Sequence, residues 1–156
     1  MRSLFLLALL PLLAFGCTPR MAPPTPTGPV QGAGPDDLAE ARARWEAADI
    51  DNYTYTIERQ CFCPEQYRGP FAVKVEGGEI TEATWSGGPA GEDVQIPTVE
   101  ELFRRVAEAY AEGADEVRVT YDGPRGYPTV VWIDESRQMA DEEVGYTVSG
   151  LVAVGR

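Results

Sequence analysis

The chain has 156 residues, with 25 acids against 13 bases, a formal charge of −12 and no histidine. The missing histidine excludes Ser-His-Asp and Cys-His catalysis, and with them histidine-ligated zinc or copper. So acidic a chain is a poor partner for nucleic acid or for anionic lipid headgroups.

Met1–Gly16, MRSLFLLALLPLLAFG, reads as an export signal peptide. Arg2 supplies a short positive region, and the apolar run Leu4–Leu13 is too short to span a bilayer and is broken by Pro11. LAFGC resembles a lipobox, with Gly16 before a Cys17 that would carry palmitate-type acyl chains and become the mature N-terminus, although Ala14 and Phe15 depart from the usual pattern. An ordinary secretory signal with a chance cysteine is the alternative. Acyl chains on Cys17, rather than surface charge, would hold the protein to a membrane of the cell envelope, facing the periplasm or the exterior.

Cys17–Pro35 is rich in Pro, Gly and Thr and has almost nothing to bury, so it reads as a disordered tether. Asp36–Arg156 leaves about 120 residues, enough for one domain with its own core.

Within that domain, PDDLAEARARWEAADIDNY starts at Pro35 with an aspartate N-cap and places Leu38, Ala41, Trp45 and Ala48 on one helical face. YTYTIERQCFC alternates: Tyr53, Tyr55, Ile57, Arg59, Cys61 and Cys63 share one strand face, and Pro64 ends the strand. FAVKVEGGEITEATW is a hairpin turning at Gly77-Gly78, with Phe71, Val73 and Val75 inward. Ser86–Pro97 reads as a mobile loop. TVEELFRRVAEAYAEG carries the strongest helix signal: a capping box from Thr98 and Glu101, an apolar stripe of Val99, Leu102, Phe103, Val106 and Tyr110, and a terminating Gly113. Three strands follow, in DEVRVTY, YPTVVWID and EVGYTVSGLVAV.

The expected order is therefore αβββ-αβββ, an α+β fold with an antiparallel sheet and two helices packed on one face. RGPFAVKVEGGEITEA can be laid over RGYPTVVWIDESRQMADE, with Arg68-Gly69 on Arg125-Gly126, which reads as an internal duplication.

The succession YTYTIERQCFCPE, VKVEGGEI, TVEELFRRV, VTYDGPRGYPTVVWID and DEEVGYTVSGL resembles the bacterial family of the domain of unknown function 6174, over about Asp49 to Leu151. The cysteine pair before Pro64, and Gly126-Tyr127-Pro128 ahead of a strand ending at Asp134, are its most specific pieces. The resemblance implies an exported, lipoprotein-like small domain and carries no catalytic residue.

Cys61 and Cys63 are the candidate chemistry. In an oxidising compartment an even pair favours a disulfide. Regular strand geometry opposes it, because residues i and i+2 stand about 6.4–6.8 Å apart with parallel side chains. A bond requires the chain to bend at Phe62. Reduced packing, a metal half-site and redox chemistry are the other readings. Arg59, on the apolar face, is either an anion site beside the cysteines or a side chain escaping to water, the simpler reading. Trp85, Tyr127 and Trp132 are core, or else a binding patch on an open sheet face. The acidic stretches Asp49–Asn52 and Ile133–Glu143 do not match a calcium loop and read as solvated turns; no metal or cofactor is expected.

Two functions fit: a non-enzymatic binding module for a protein or envelope component, which is preferred, and a thiol-disulfide active envelope protein using Cys61 and Cys63.

Overall fold

A computed structural model describes residues 25–32 and 34–155. The stretch read as an export signal and Cys17 lie outside the described residues, as does the first part of the stretch read as a tether. The elements in chain order are β1 (Val30–Gly32), α1 (Pro35–Ala47), β2 (Tyr53–Gln60), β3 (Phe71–Glu76), β4 (Glu79–Trp85), β5 (Gly88–Pro89), α2 (Val99–Glu112), β6 (Glu116–Tyr121), β7 (Pro128–Asp134) and β8 (Val144–Ala153). One eight-stranded sheet runs β1-β6-β7-β8-β2-β3-β4-β5. Every pairing in it is antiparallel. The fold is α+β.

Alternation along the strands sets the inner face. Tyr53, Tyr55 and Ile57 of β2, Phe71, Val73 and Val75 of β3, and Tyr146 and Val148 of β8 are all buried. They form a single core with Leu38, Ala41 and Trp45 of α1 and with Leu102, Phe103 and Val106 of α2. Removing a side chain such as Leu102 or Val106, each wholly enclosed, from water contributes about 2 kcal/mol of transfer free energy. The opposite strand positions face away from the helices.

The two helices start differently. Thr98 caps α2 in a complete capping box: Glu101 N–H donates to Thr98 Oγ1 at 3.2 Å, and Thr98 N–H donates to Glu101 Oε2 at 2.9 Å. Gly113 closes α2 in the left-handed conformation. The aspartate N-cap expected for α1 is absent: the capping position is Gly34 and no side chain caps it. Pro35 occupies the first turn, where its missing N–H costs nothing and its fixed φ suits a helix.

Two short strands were not expected. β1 lies within the stretch read as tether and pairs with β6, Gln31 opposite Thr120. Its Gln31 amide donates to Thr120 Oγ1 at 2.7 Å. β5 folds back on the end of β4, Trp85 opposite Gly88. The Ser86–Pro97 segment therefore packs on the domain, with Ala90, Val94 and Ile96 against the core and Pro97 buried.

Gly126 joins the β6–β7 connection to α1. Its φ is +82°. A Cβ there would sit 2.1 Å from the Ala41 carbonyl oxygen, so both backbone conformation and space call for glycine.

Candidate functional site

β2 carries the residues that position most of the molecule. The Tyr53 hydroxyl donates to Glu100 Oε2 at 2.9 Å and accepts from Val99 N–H at 3.1 Å. Trp45 Nε1–H donates to the other Glu100 oxygen at 2.8 Å. The Tyr55 hydroxyl donates to the Pro97 carbonyl at 2.6 Å. The first turn of α2 is thus pinned to β2 and α1. Burial, reinforced by Glu100, pushes the Tyr53 hydroxyl well above the usual tyrosine range; burial, reinforced by Glu101 and Glu100, does the same to Tyr55.

Beyond Ile57 the alternation carries Arg59 onto the same inner face, directly across from Tyr146 of β8. The Arg59 guanidinium carbon stands 5.8 Å from the Tyr146 ring centre, and that of Arg105, reaching down from α2, stands 5.7 Å from it. Both side chains are half-buried. Arg59 therefore lies against an aromatic ring on the helix side of the sheet and does not simply escape to water. Sequence reasoning missed Arg105. Its signal was present: Leu102, Arg105 and Ala109 fall at i, i+3 and i+7, which puts a cation on the border of the apolar stripe.

The strand stops at Gln60, one residue short of the cysteines. Cys61 and Cys63 are disulfide-bonded, with Cα atoms 5.3 Å apart, closer than extended backbone allows. The bend falls at Phe62, whose ring is 82 % exposed.

The three aromatic candidates separate. Tyr127 is buried, its ring 6.0 Å from that of Trp45 at a steep angle, so it is a core residue. Trp85 is half-buried opposite Phe71 and donates its indole N–H to the Gly69 carbonyl at 3.3 Å, which places it at the edge of the core. Trp132 alone stands on the far face of the sheet. It lies over Gly145, where an added Cβ would meet its ring at 2.9 Å, and Arg118 reaches over it with its guanidinium carbon 5.5 Å from the ring.

Among the described residues nothing covers that far face. Around Trp132 it holds a hollow of about 280 Å³ lined by Gln31, Gln60, Arg118 and Val130. A second hollow of about 310 Å³ lies over Thr54, Thr56, Lys74 and Glu82. Between and beside them stand Thr147, Ser149 and Val152, the last 58 % exposed. Uncharged side chains run along β8 and much of β2 here, with Glu58 directly across from Thr147 and Lys74, Glu82 and Arg118 to either side.

A model of the family of unknown function DUF6174 matches residues 37–153. The chain belongs to that family. No curated protein and no solved structure matches it. The family span runs from the first turn of α1 to the end of β8, so it takes in the cysteine turn, the arginine pair and the open face. Among the described residues no helix is long and apolar enough to cross a membrane, and no group of three or more His, Cys, Asp and Glu side chains is arranged to hold a metal ion.

Proposed function

We propose that this DUF6174 chain is a non-enzymatic binding module of the cell envelope, anchored by lipid on Cys17, that holds a protein or envelope component on the open face of its sheet. The observation that supports this most is the run of uncharged side chains Thr54, Thr56, Thr147, Ser149 and Trp132, interrupted by Glu58 opposite Thr147, on a sheet face that no described element covers. Threonines and a tryptophan give a flat surface with hydroxyls and one large aromatic anchor, and Glu58 sets a single negative charge beside Thr147. The tether to Cys17 would let the domain reach its partner from the membrane surface. The two three-stranded meanders β6-β7-β8 and β2-β3-β4 lie side by side in the sheet, an arrangement that an internal duplication would produce.

The test is co-purification from the native envelope with the full chain and two variants. Thr147→Glu puts a second carboxylate beside Glu58 on the open face, and Ala111→Glu puts one on an exposed position of α2. A partner retained by the wild type and by Ala111→Glu but lost with Thr147→Glu supports the reading. Equal retention by all three refutes it.

A second reading, thiol-disulfide exchange, is favoured by one observation: the Cys61–Cys63 bond sits at a turn whose middle residue is almost wholly exposed. It requires that the reduced chain pass electrons to a disulfide substrate, which insulin reduction with Cys61→Ser as the control would register.

A further inference from the structure

We propose that the groove between β4 and α2 takes an extended peptide segment with basic side chains, which pairs with the bare edge of β4 and continues the line of β5. The groove lies at the β4 edge of the sheet, and its reading does not rest on that given to the open face.

Only the last two residues of β4 pair with β5, Thr84 with Pro89 and Trp85 with Gly88. One more bond follows, from Ala90 N–H to the Ala83 carbonyl at 2.9 Å. There the chain leaves the strand: Val94 N–H donates to the Gly91 carbonyl at 3.0 Å, and the turn leads on to α2. Glu79–Glu82 therefore has β3 on one side and, among the described residues, no strand on the other. An edge of this kind offers its backbone N–H and C=O groups to another extended chain.

The departing chain opens a groove of about 610 Å³ along that edge. Sites that hold a ligand run roughly from 300 to 1,000 Å³, so a short peptide fits. Ile80, Ala83, Val94 and Ile96, each only partly buried, give the groove an apolar wall. On a guest strand alternate side chains meet that wall, and the others point away from it.

Charge selects the guest. Glu82 and Glu92 line the groove and Glu79 adjoins it; all three are exposed and make no ion pair among the described residues. The nearby cations are engaged: Arg104 by Glu108 at 2.8 Å, Arg105 against the Tyr146 ring, and Lys74, across from Glu82, by Glu76 at 2.9 Å. A basic guest gains from the unpaired glutamates. The β4 edge of a second copy would set glutamate against glutamate, which disfavours self-pairing. The bare stretch is short, so backbone pairing and side-chain contacts must act together.

The experiment follows the amide magnetic resonance spectrum of the full chain during titration with a blocked peptide of three Lys-Val repeats. The same peptide N-methylated throughout keeps its side chains and charge but has no backbone N–H to give. A peptide of three Glu-Val repeats reverses the charge. On the protein, Glu82→Lys with Glu92→Lys reverses the groove, and Glu40→Lys with Glu46→Lys makes the same change of net charge at exposed positions of α1. The expected result is saturable binding of the Lys-Val peptide with shifts at Ile80–Glu82. Binding weakens about tenfold or more with the N-methylated peptide and in the groove variant, and stays within about twofold in the α1 variant and in Thr147→Glu. The spectrum also reports whether each variant is folded; if the groove variant is not, the plain and N-methylated peptides on the wild type decide. No saturable binding of the Lys-Val peptide, equal affinity for its N-methylated form or for the Glu-Val peptide, equal loss in the groove and α1 variants, or shifts confined to Thr56 and Ser149 of the open face overturns the proposal.

Discussion

Tyr53 and Glu100 are joined across 47 positions of sequence by one hydrogen bond of 2.9 Å, and through it the centre of the sheet holds the start of α2. The same hydroxyl takes the Val99 N–H, one of the donors at a helix N-terminus that has no partner within the helix. Tyr53→Phe keeps the ring in the core and removes both bonds. The expected loss is about 1–3 kcal/mol, since the buried Val99 N–H is left unpaired. Urea unfolding of the two proteins measures it. A change in midpoint at constant slope is the predicted pattern; no change would mean the helix start is held by the capping box alone.

The buried tyrosines also set an alkaline limit. Burial raises the hydroxyls of Tyr53, Tyr55 and Tyr121 well above their ordinary value near pH 10. Above that pH the unfolded chain loses phenolic protons that the folded chain retains, so the folded state binds more protons and stability falls as pH rises. Each tyrosine contributes a slope of about 1.4 kcal/mol per pH unit between its unfolded and folded values. With no histidine, no side chain of that type titrates between pH 6 and 9. A plateau of melting temperature across that window and a steep fall beyond pH 10 are expected from calorimetry; a fall starting near pH 8 would contradict the assignment.

The parts of this fold legible in the sequence are those with redundant signals. Helix α2 announces its start by Thr98 and Glu101, its buried face by Leu102, Phe103 and Val106, and its end by Gly113. The hairpin β3–β4 is equally explicit, since alternation and Gly77-Gly78 agree. Strand β1 is not legible, because Val-Gln-Gly is too short to show a period; it is a strand because the outer edge of β6 offers backbone groups to pair with. The cysteine turn misleads in the opposite way, its alternation continuing past the point where the backbone bends. In the site, Arg59 could be placed on the inner face, but its meeting with Arg105 depends on how α2 lies over β8, and no local pattern encodes that. For Tyr127 the sequence leaves core and binding patch both open, because its connection closes on α1 through the glycine contact at Gly126.

Strand β1 makes the folded unit larger than the stretch from Asp36. A chain beginning at Asp36 lacks Val30–Gly32 and leaves the edge of β6 bare. It is expected to melt cooperatively, since the core residues lie beyond Asp36, but at a temperature several degrees lower, in keeping with about 1 kcal/mol lost. Equal melting temperatures would show that β1 contributes nothing.

The Cys61–Cys63 bond closes a loop with a sequence separation of 2, so it removes few unfolded conformations. Cys61→Ser with Cys63→Ser is expected to cost less than the usual 2–4 kcal/mol and to leave unfolding cooperative, while changing the amide spectrum of Pro64–Gly69. Mass spectrometry of the Glu58–Tyr67 peptide under non-reducing conditions, on protein taken directly from its native cells, checks the bond itself: two free thiols would refute it.

Binding at the open face is the central claim, and photo-crosslinking in intact cells tests it most directly. A photoreactive residue is placed at Ser149, exposed on the open face, and in a separate protein at Ala111, exposed on α2. The account predicts a discrete, light-dependent adduct from Ser149 and none from Ala111. No adduct from Ser149, or the same adduct from both positions, would contradict it.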